Sequence, residues 1–256
     1  MSGYERLTAA QIRDLRALGS RSERIRQGRY LAEGEHLTQE AIKEGAALSI
    51  LVMEGREQRF RQHLSSGLPV CLLPERAFVQ IADTKTPQGI AALCALPGNA
   101  EPAQLGDRIV ALNAVQDPGN VGTIIRSMDA AGFTGVMLDE ACADPFSPKT
   151  LRASMGSALR IPVCTLSSLP EGLRALEGYD IIAGALNGSP FYRRGRTAQK
   201  VCLLIGNEGA GLSDEVMALA DLRLKLPMRG GAESLNAAIA ATVMMYDFVR
   251  VWEENI

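Results

Sequence analysis

The sequence predicts an α/β protein in two domains, residues 1–98 and 107–256, the second built on a parallel sheet covered by helices on both faces. Three observations carry this. From residue 107 onward, short apolar runs of strand length alternate strictly with helix-length amphipathic runs. The first hundred residues alternate in the same way but more loosely. Between the two lies LPGNAEPAQLGD (96–107), whose Pro, Gly and small polar residues are those of a linker. At 256 residues the chain exceeds one typical core of roughly 100–150 residues and suits two.

In the first domain TAAQIRDLRAL reads as a helix opened by Thr8, followed by a strand at RYLAEG. HLTQEAIKEG reads as a helix ending on Gly45, LSILVMEG as a strand, and 56–64 as a charged helix. PVCLLP and GIAALCAL read as later strands. In the second domain DRIVALNAV is an apolar strand, and PGNVGTIIRSMDAAG a helix with Pro118 near its start and Gly132 at its end. GVMLDE, PVCTL, DIIAGAL, VCLLIG and LRLKLP are strands of the buried parallel type. Helices fall between them at SPKTLRASMGSAL, LPEGLRALEG and SDEVMALA. The last element, SLNAAIAATVMMYDFVRVWEE, is a long helix. Leu235, Ile239, Val243, Tyr246 and Val249 step by three or four residues along it, the spacing of a core stripe.

Composition narrows the function classes. The chain is 46% hydrophobic and 22% charged, as globular proteins are. No apolar run approaches the roughly 20 residues of a membrane span, and the charged N-terminus lacks a signal-peptide core, so a cytoplasmic location is expected. Five scattered cysteines with no CxxC pair argue against a disulfide framework and against zinc; no metal site is expected. The net charge of −2 does not point to nucleic acid, but residues 1–30 carry seven arginines against three acidic residues, a local +4 that suits phosphates as well as it suits a solvated helix face.

Three loops follow strands at their carboxyl ends, where open α/β sheets bind ligands. The first, NAVQDPGNVGTIIR (113–126), places Asn120 at a helix entry and Arg126 in that helix's third turn. An ordinary turn with a surface arginine has the same appearance. The second, LLIGNEGAGLS (203–213), runs from a strand into Gly206, Asn207 and Glu208, with glycines that permit close backbone approach. It has neither the G-x-G-x-x-G spacing of a dinucleotide loop nor a GK[ST] ending. The third, LKLPMRGGAESLN (224–236), leads through a flexible turn to a helix capped by Ser234 or Glu233, with Asn236 beside it. Weight on C-terminal rather than first-turn loops sets this chain apart from ordinary dehydrogenases and methyltransferases.

In this order and spacing the three segments resemble the three motifs of the SpoU (TrmH-like) family of RNA methyltransferases, in the SPOUT superfamily. The first domain is similar to that family's substrate-binding domain, itself like ribosomal protein L30e, with GRYLAEGEHLTQEAI (28–42) and TPQGIAAL (86–93) as the matching runs. The likeness covers nearly the whole chain. It implies a C-terminal sheet tied into a deep trefoil knot, S-adenosyl-L-methionine as cofactor, and a homodimer with composite sites. Carried over by motif, cofactor contacts fall at Gly206, Leu226 and Leu235, with Leu186 and Met228 beside them. Asn120, Arg126, Glu208, Ser234 and Asn236 match the catalytic and RNA-positioning residues. An arginine with pKa above about 12 is a poor base, so Arg126 is assigned to hold the adjacent phosphate and the developing alkoxide. Met155 stands where the family commonly has a small residue, and Arg229 in the third turn is within a loop that meets RNA or solvent. The implied activity is methylation of a ribose 2′-hydroxyl in RNA, ribosomal RNA of the large subunit being favoured over tRNA. A tRNA methyltransferase of the same family and a non-catalytic RNA-binding or ribosome-assembly protein are the alternatives.

Overall fold

Thr8 opens the first helix with reciprocal hydrogen bonds: its Oγ1 accepts from Gln11 N, and Gln11 Oε1 accepts from Thr8 N at 2.8 Å. The computed structural model describes residues 4–194 and 199–253. It divides into two units, Met1–Gly98 with Phe146–Arg160, and Asn99–Pro145 with Ile161–Ile256.

The first unit runs β1 (Glu5–Arg6), α1 (Ala9–Ala17), α2 (Arg21–Gln27), β2 (Arg29–Glu33), α3 (Glu35–Lys43), β3 (Ala47–Met53), α4 (Arg61–Leu64), β4 (Val70–Leu73), α5 (Glu75–Ile81) and β5 (Ile90–Ala95). Its sheet has the order β1-β4-β3-β5-β2, with β5 antiparallel to both neighbours. Two helices escape a reading by apolar period. In α2 the one buried residue is Arg24, whose guanidinium donates to the carbonyls of Leu18 and Gly19, while Ile25 is exposed. α5 spans only two turns behind Pro74. The charged helix expected over 56–64 shrinks to α4, because turns hold 54–60 and deliver Phe60 into the core.

The second unit runs β6 (Arg108–Asn113), α6 (Pro118–Ala130), β7 (Gly135–Asp139), then, after α7 (Pro148–Ser154), β8 (Val163–Leu166), α8 (Leu169–Arg174), β9 (Tyr179–Pro190), β10 (Lys200–Gly206), α9 (Asp214–Met217), β11 (Leu222–Lys225) and α10 (Ala237–Glu253). The sheet is parallel throughout, in the order β11-β9-β10-β6-β7-β8. From β6 the chain proceeds outward to β7 and β8, whereas β10, β9 and β11 lie on its other side. The switch therefore falls between β6 and β10, with Asn113 opposite Gly206 at their carboxyl ends.

Two expectations are corrected. SPKTLRASMGSAL is not one helix: α7 stops at Met155 (φ 50°) and Gly156 (φ 88°), and a single 3-10 turn follows at Ser157–Leu159. This segment clusters with the first unit, where α7 packs on β2, Arg160 pairs with Glu40, and Arg152 with Asp83. Of the α10 stripe chosen as core, Leu235, Ile239 and Tyr246 face outward and Val243 and Val249 are only half-buried. Ile239 and Tyr246 are 53% and 48% exposed, and the buried face is Ala237, Ala238, Ala241, Met244, Met245 and Phe248. Alanine and methionine let α10 lie close to α6 and β10, and the larger residues were left outside. Among the described residues no helix is long and apolar enough to cross a membrane.

Candidate functional site

At the end of β6 the chain turns through Ala114, held at φ 56°, and enters α6 at Pro118. Asp117 caps the helix, its Oδ1 accepting from Asn120 N at 2.9 Å, which sets Asn120 in the first turn. At the end of β10 the loop doubles back, with Asn207 and Gly211 exchanging backbone hydrogen bonds of 3.0 and 2.9 Å. Asn207 stiffens this loop from within, its Oδ1 accepting from Gly209 N and Ala210 N while Nδ2 donates to Ala114 O. Glu208 rides at its tip.

The third loop ends differently from expectation. Neither Ser234 nor Glu233 caps the last helix. α10 begins at Ala237, and Asn236 is its cap, with Oδ1 accepting from Ala238 N (3.0 Å) and Ile239 N (3.2 Å). An amide accepts through this position better than a residue two places earlier, which lies outside the helical turn.

That cap fixes a directional chain. With Asn236 Oδ1 committed to the helix, its Nδ2 donates to Asn120 Oδ1 at 2.9 Å. Asn120 Nδ2 must then face the other way, and it donates to Glu208 Oε1. One residue from each of the three loops is thus joined in a line through Asn120, ending on the Glu208 carboxylate.

Beside this chain lies a cleft of about 460 Å³. Leu186, Gly206, Leu226, Met228 and Leu235 all line it, as do Glu208 and Ser234. Asn120 and Asn236 stand at its side rather than in its wall. Arg126 is not brought in: it is exposed on α6, without a hydrogen-bond or ion-pair partner among the described residues. Six helical residues separate it from Asn120, about 240° of rotation, so the two do not share a face. Ser234 likewise makes no hydrogen bond among the described residues. The glycine at 206 has a reason within the protein itself, since a Cβ there would lie 2.3 Å from the carbonyl carbon of Gly211.

Three residues were given no role from the sequence: Asn113, Asn207 and Asp139. Each is a polar residue at or just past the end of a parallel strand, and that position was the available signal. Among the described residues no group of His, Cys, Asp and Glu could hold a metal ion. Cys142, just behind the site, is buried, which pushes its thiol up to about 12.

The family model described as SpoU rRNA Methylase family matches residues 107–246, and that described as MRM3-like substrate binding domain matches residues 9–92. The 23S rRNA (guanosine(2553)-2'-O)-methyltransferase RlmP of Bacillus subtilis (strain 168) is 40% identical over 250 residues, 96% of this chain and 98% of its own. The AdoMet-bound rRNA methyltransferase from Sinorhizobium meliloti superposes with a TM-score of 0.82 at 31% identity, covering 97% of this chain and 98% of its own. The SpoU methyltransferase AviRb from Streptomyces viridochromogenes, in complex with AdoMet, gives 0.86 at 28% identity over 95% and 98% of the two chains. The chain belongs to the SpoU rRNA methylase family.

Proposed function

We propose that the protein transfers a methyl group from S-adenosyl-L-methionine to a ribose 2′-hydroxyl of large-subunit ribosomal RNA, in the cytoplasm, as a homodimer. The observation that carries this is the Asn236–Asn120–Glu208 chain standing beside a cleft that Gly206, Leu226 and Leu235 line. The cleft fits the cofactor. Its volume lies in the roughly 300–1,000 Å³ range of small-molecule sites, and apolar side chains and loop backbone suit an adenosine better than charged groups do. The bound cofactor supplies a methyl group on a sulfonium.

The chain's own residues then do the positioning. Leu226 and Leu235 would hold the adenosine by apolar contact and the 206–212 backbone would offer it hydrogen bonds, while Glu208, oriented by Asn120, lines the same cleft. Displacement at the methyl carbon is in line, so alignment of the 2′-hydroxyl is the larger part of the catalysis. Arg126 holds the neighbouring phosphate and the alkoxide as it develops, and that phosphate assists proton loss. Because Arg126 stands apart from its own chain's cleft, the partner subunit's Arg126 completes each composite site. The outward Ile239 and Tyr246 of α10 form the apolar surface for that pairing. Residues 1–98, with their basic start, choose the RNA, and the methyltransferase half carries the trefoil knot.

Mass-spectrometric mapping of ribose methylation in ribosomal RNA, with and without the protein, tests the proposal. A missing 2′-O-methyl group names the nucleotide. An unchanged ribosomal map with a lost tRNA methylation overturns the substrate, and calorimetry showing no S-adenosylmethionine binding overturns the activity.

A further inference from the structure

The end of β7 is not part of the motifs, yet its last residue is tied to two of them. Asp139 spends both carboxylate oxygens on four N–H groups. Oδ1 accepts from Ala141 N (3.1 Å) and Cys142 N (3.0 Å), and Oδ2 from Asn113 Nδ2 (2.7 Å) and Ala114 N (2.9 Å). A carboxylate only accepts, so the Asn113 amide must turn its NH₂ toward Asp139. Its oxygen is thereby aimed across the sheet, where it accepts from Ser213 N at 2.7 Å. Ser213 closes the Gly206–Leu212 loop that bears Glu208, and Ala114, which Asp139 also holds, begins the turn into α6 that bears Asn120. Asn207 Nδ2 on Ala114 O ties the same two loops a second time.

We propose that Asp139 is a positioning residue for methyl transfer: by fixing the Asn113 amide and the left-handed Ala114, it sets Glu208 within reach of Asn120. The proposal rests on the methyltransferase reading above. The substitution Asp139→Asn isolates it. One of the two carboxylate positions becomes an NH₂, which faces either Ala141 N and Cys142 N or Asn113 Nδ2 and Ala114 N, donor against donor in both orientations.

Two measurements on the full-length protein test it. Amide hydrogen exchange of peptides covering 207–213 is expected to quicken at least tenfold in D139N; this needs no activity, so it stands apart from the functional reading. In methyl transfer to RNA, kcat is expected to fall at least tenfold. In an E208A background, which removes the oxygen that accepts from Asn120 Nδ2, the same change is expected to cost less than twofold, because the contact it supports is already gone. Unchanged exchange overturns the clasp. Quickened exchange with unchanged kcat, or an equal loss in both backgrounds, overturns the positioning role. Should D139N not fold, Asn113→Ser removes the same relay without touching Asp139 and is read in the same way. A wild-type protein that transfers no methyl group to any RNA refutes the function instead, leaving the exchange result to decide the clasp.

Discussion

Asn236 caps α10 with one atom of its amide and holds Asn120 with the other, so the start of the last helix and the orientation of the site are one structural event. The two duties can be separated. Asn236→Asp keeps an acceptor for Ala238 N and Ile239 N but has no NH₂ for Asn120. Thermal stability should stay within a few degrees of wild type, while methyl transfer falls more than tenfold. Asn236→Ala, by contrast, loses the cap as well, at a cost of about 1 kcal/mol. Equal activity of the Asp variant and wild type would separate the amide chain from catalysis.

Arg126→Ala should lower kcat by at least a hundredfold and leave S-adenosylmethionine affinity unchanged, since the side chain lies outside the cleft of its own chain. Full turnover with weakened RNA binding only would remove Arg126 from the reaction. In a mixed dimer of R126A and E208Q chains, a composite site predicts recovery of activity at one of the two centres.

Ile239→Glu with Tyr246→Glu places charges on the exposed stripe of α10 without entering its buried face. Light scattering should show a monomer of unchanged fold, and activity should fall with the dimer. A dimer that survives both charges would assign the pairing to another surface.

Gly206→Ala drives a methyl group into the backbone of Gly211 and Leu212. Opening of that loop should weaken cofactor binding at least tenfold by calorimetry. Gly230→Ala, where a Cβ meets nothing within 4 Å, should change it less than twofold.

Burial pushes the thiols of Cys94 and Cys142 up to about 12 and Cys164 up to about 11. An unfolded chain releases these protons near pH 8.5. Above that value the unfolded state holds fewer protons than the folded one, so stability falls as pH rises. Below it the contribution is intact. Urea midpoints between pH 8 and 11 should therefore decline, and less steeply in Cys142→Ala. An identical slope in the variant would clear this thiol of the effect.

Strand and helix order in the second unit was legible because parallel strands are buried on both faces and stand out as apolar runs. The three site loops were legible because glycine, asparagine and glutamate cluster after those strands. The face of α10 was not: a period of three or four residues marks a stripe, but it does not tell a buried face from an exposed one, and here Leu235, Ile239 and Tyr246 outweighed the alanines that actually pack. The cap at Asn236 was hidden by Ser234 and Glu233, both acceptable caps by residue type. Asp139 was hidden because its role depends on Asn113, 26 residues away in sequence, and through Asn113 on Ser213, 74 residues away, all brought together only by the sheet.

The placement of Phe146–Arg160 with the N-terminal residues bears on how such a protein is taken apart and recombined. The backbone passes between the two units at three points rather than one. A gene cut in the 96–107 linker gives a C-terminal fragment whose α7 has lost β2 and whose Arg160 and Arg152 have lost Glu40 and Asp83. Exchange of N-terminal units among relatives therefore calls for the 146–160 segment to travel with the N-terminal part, as a two-piece graft rather than a single fusion.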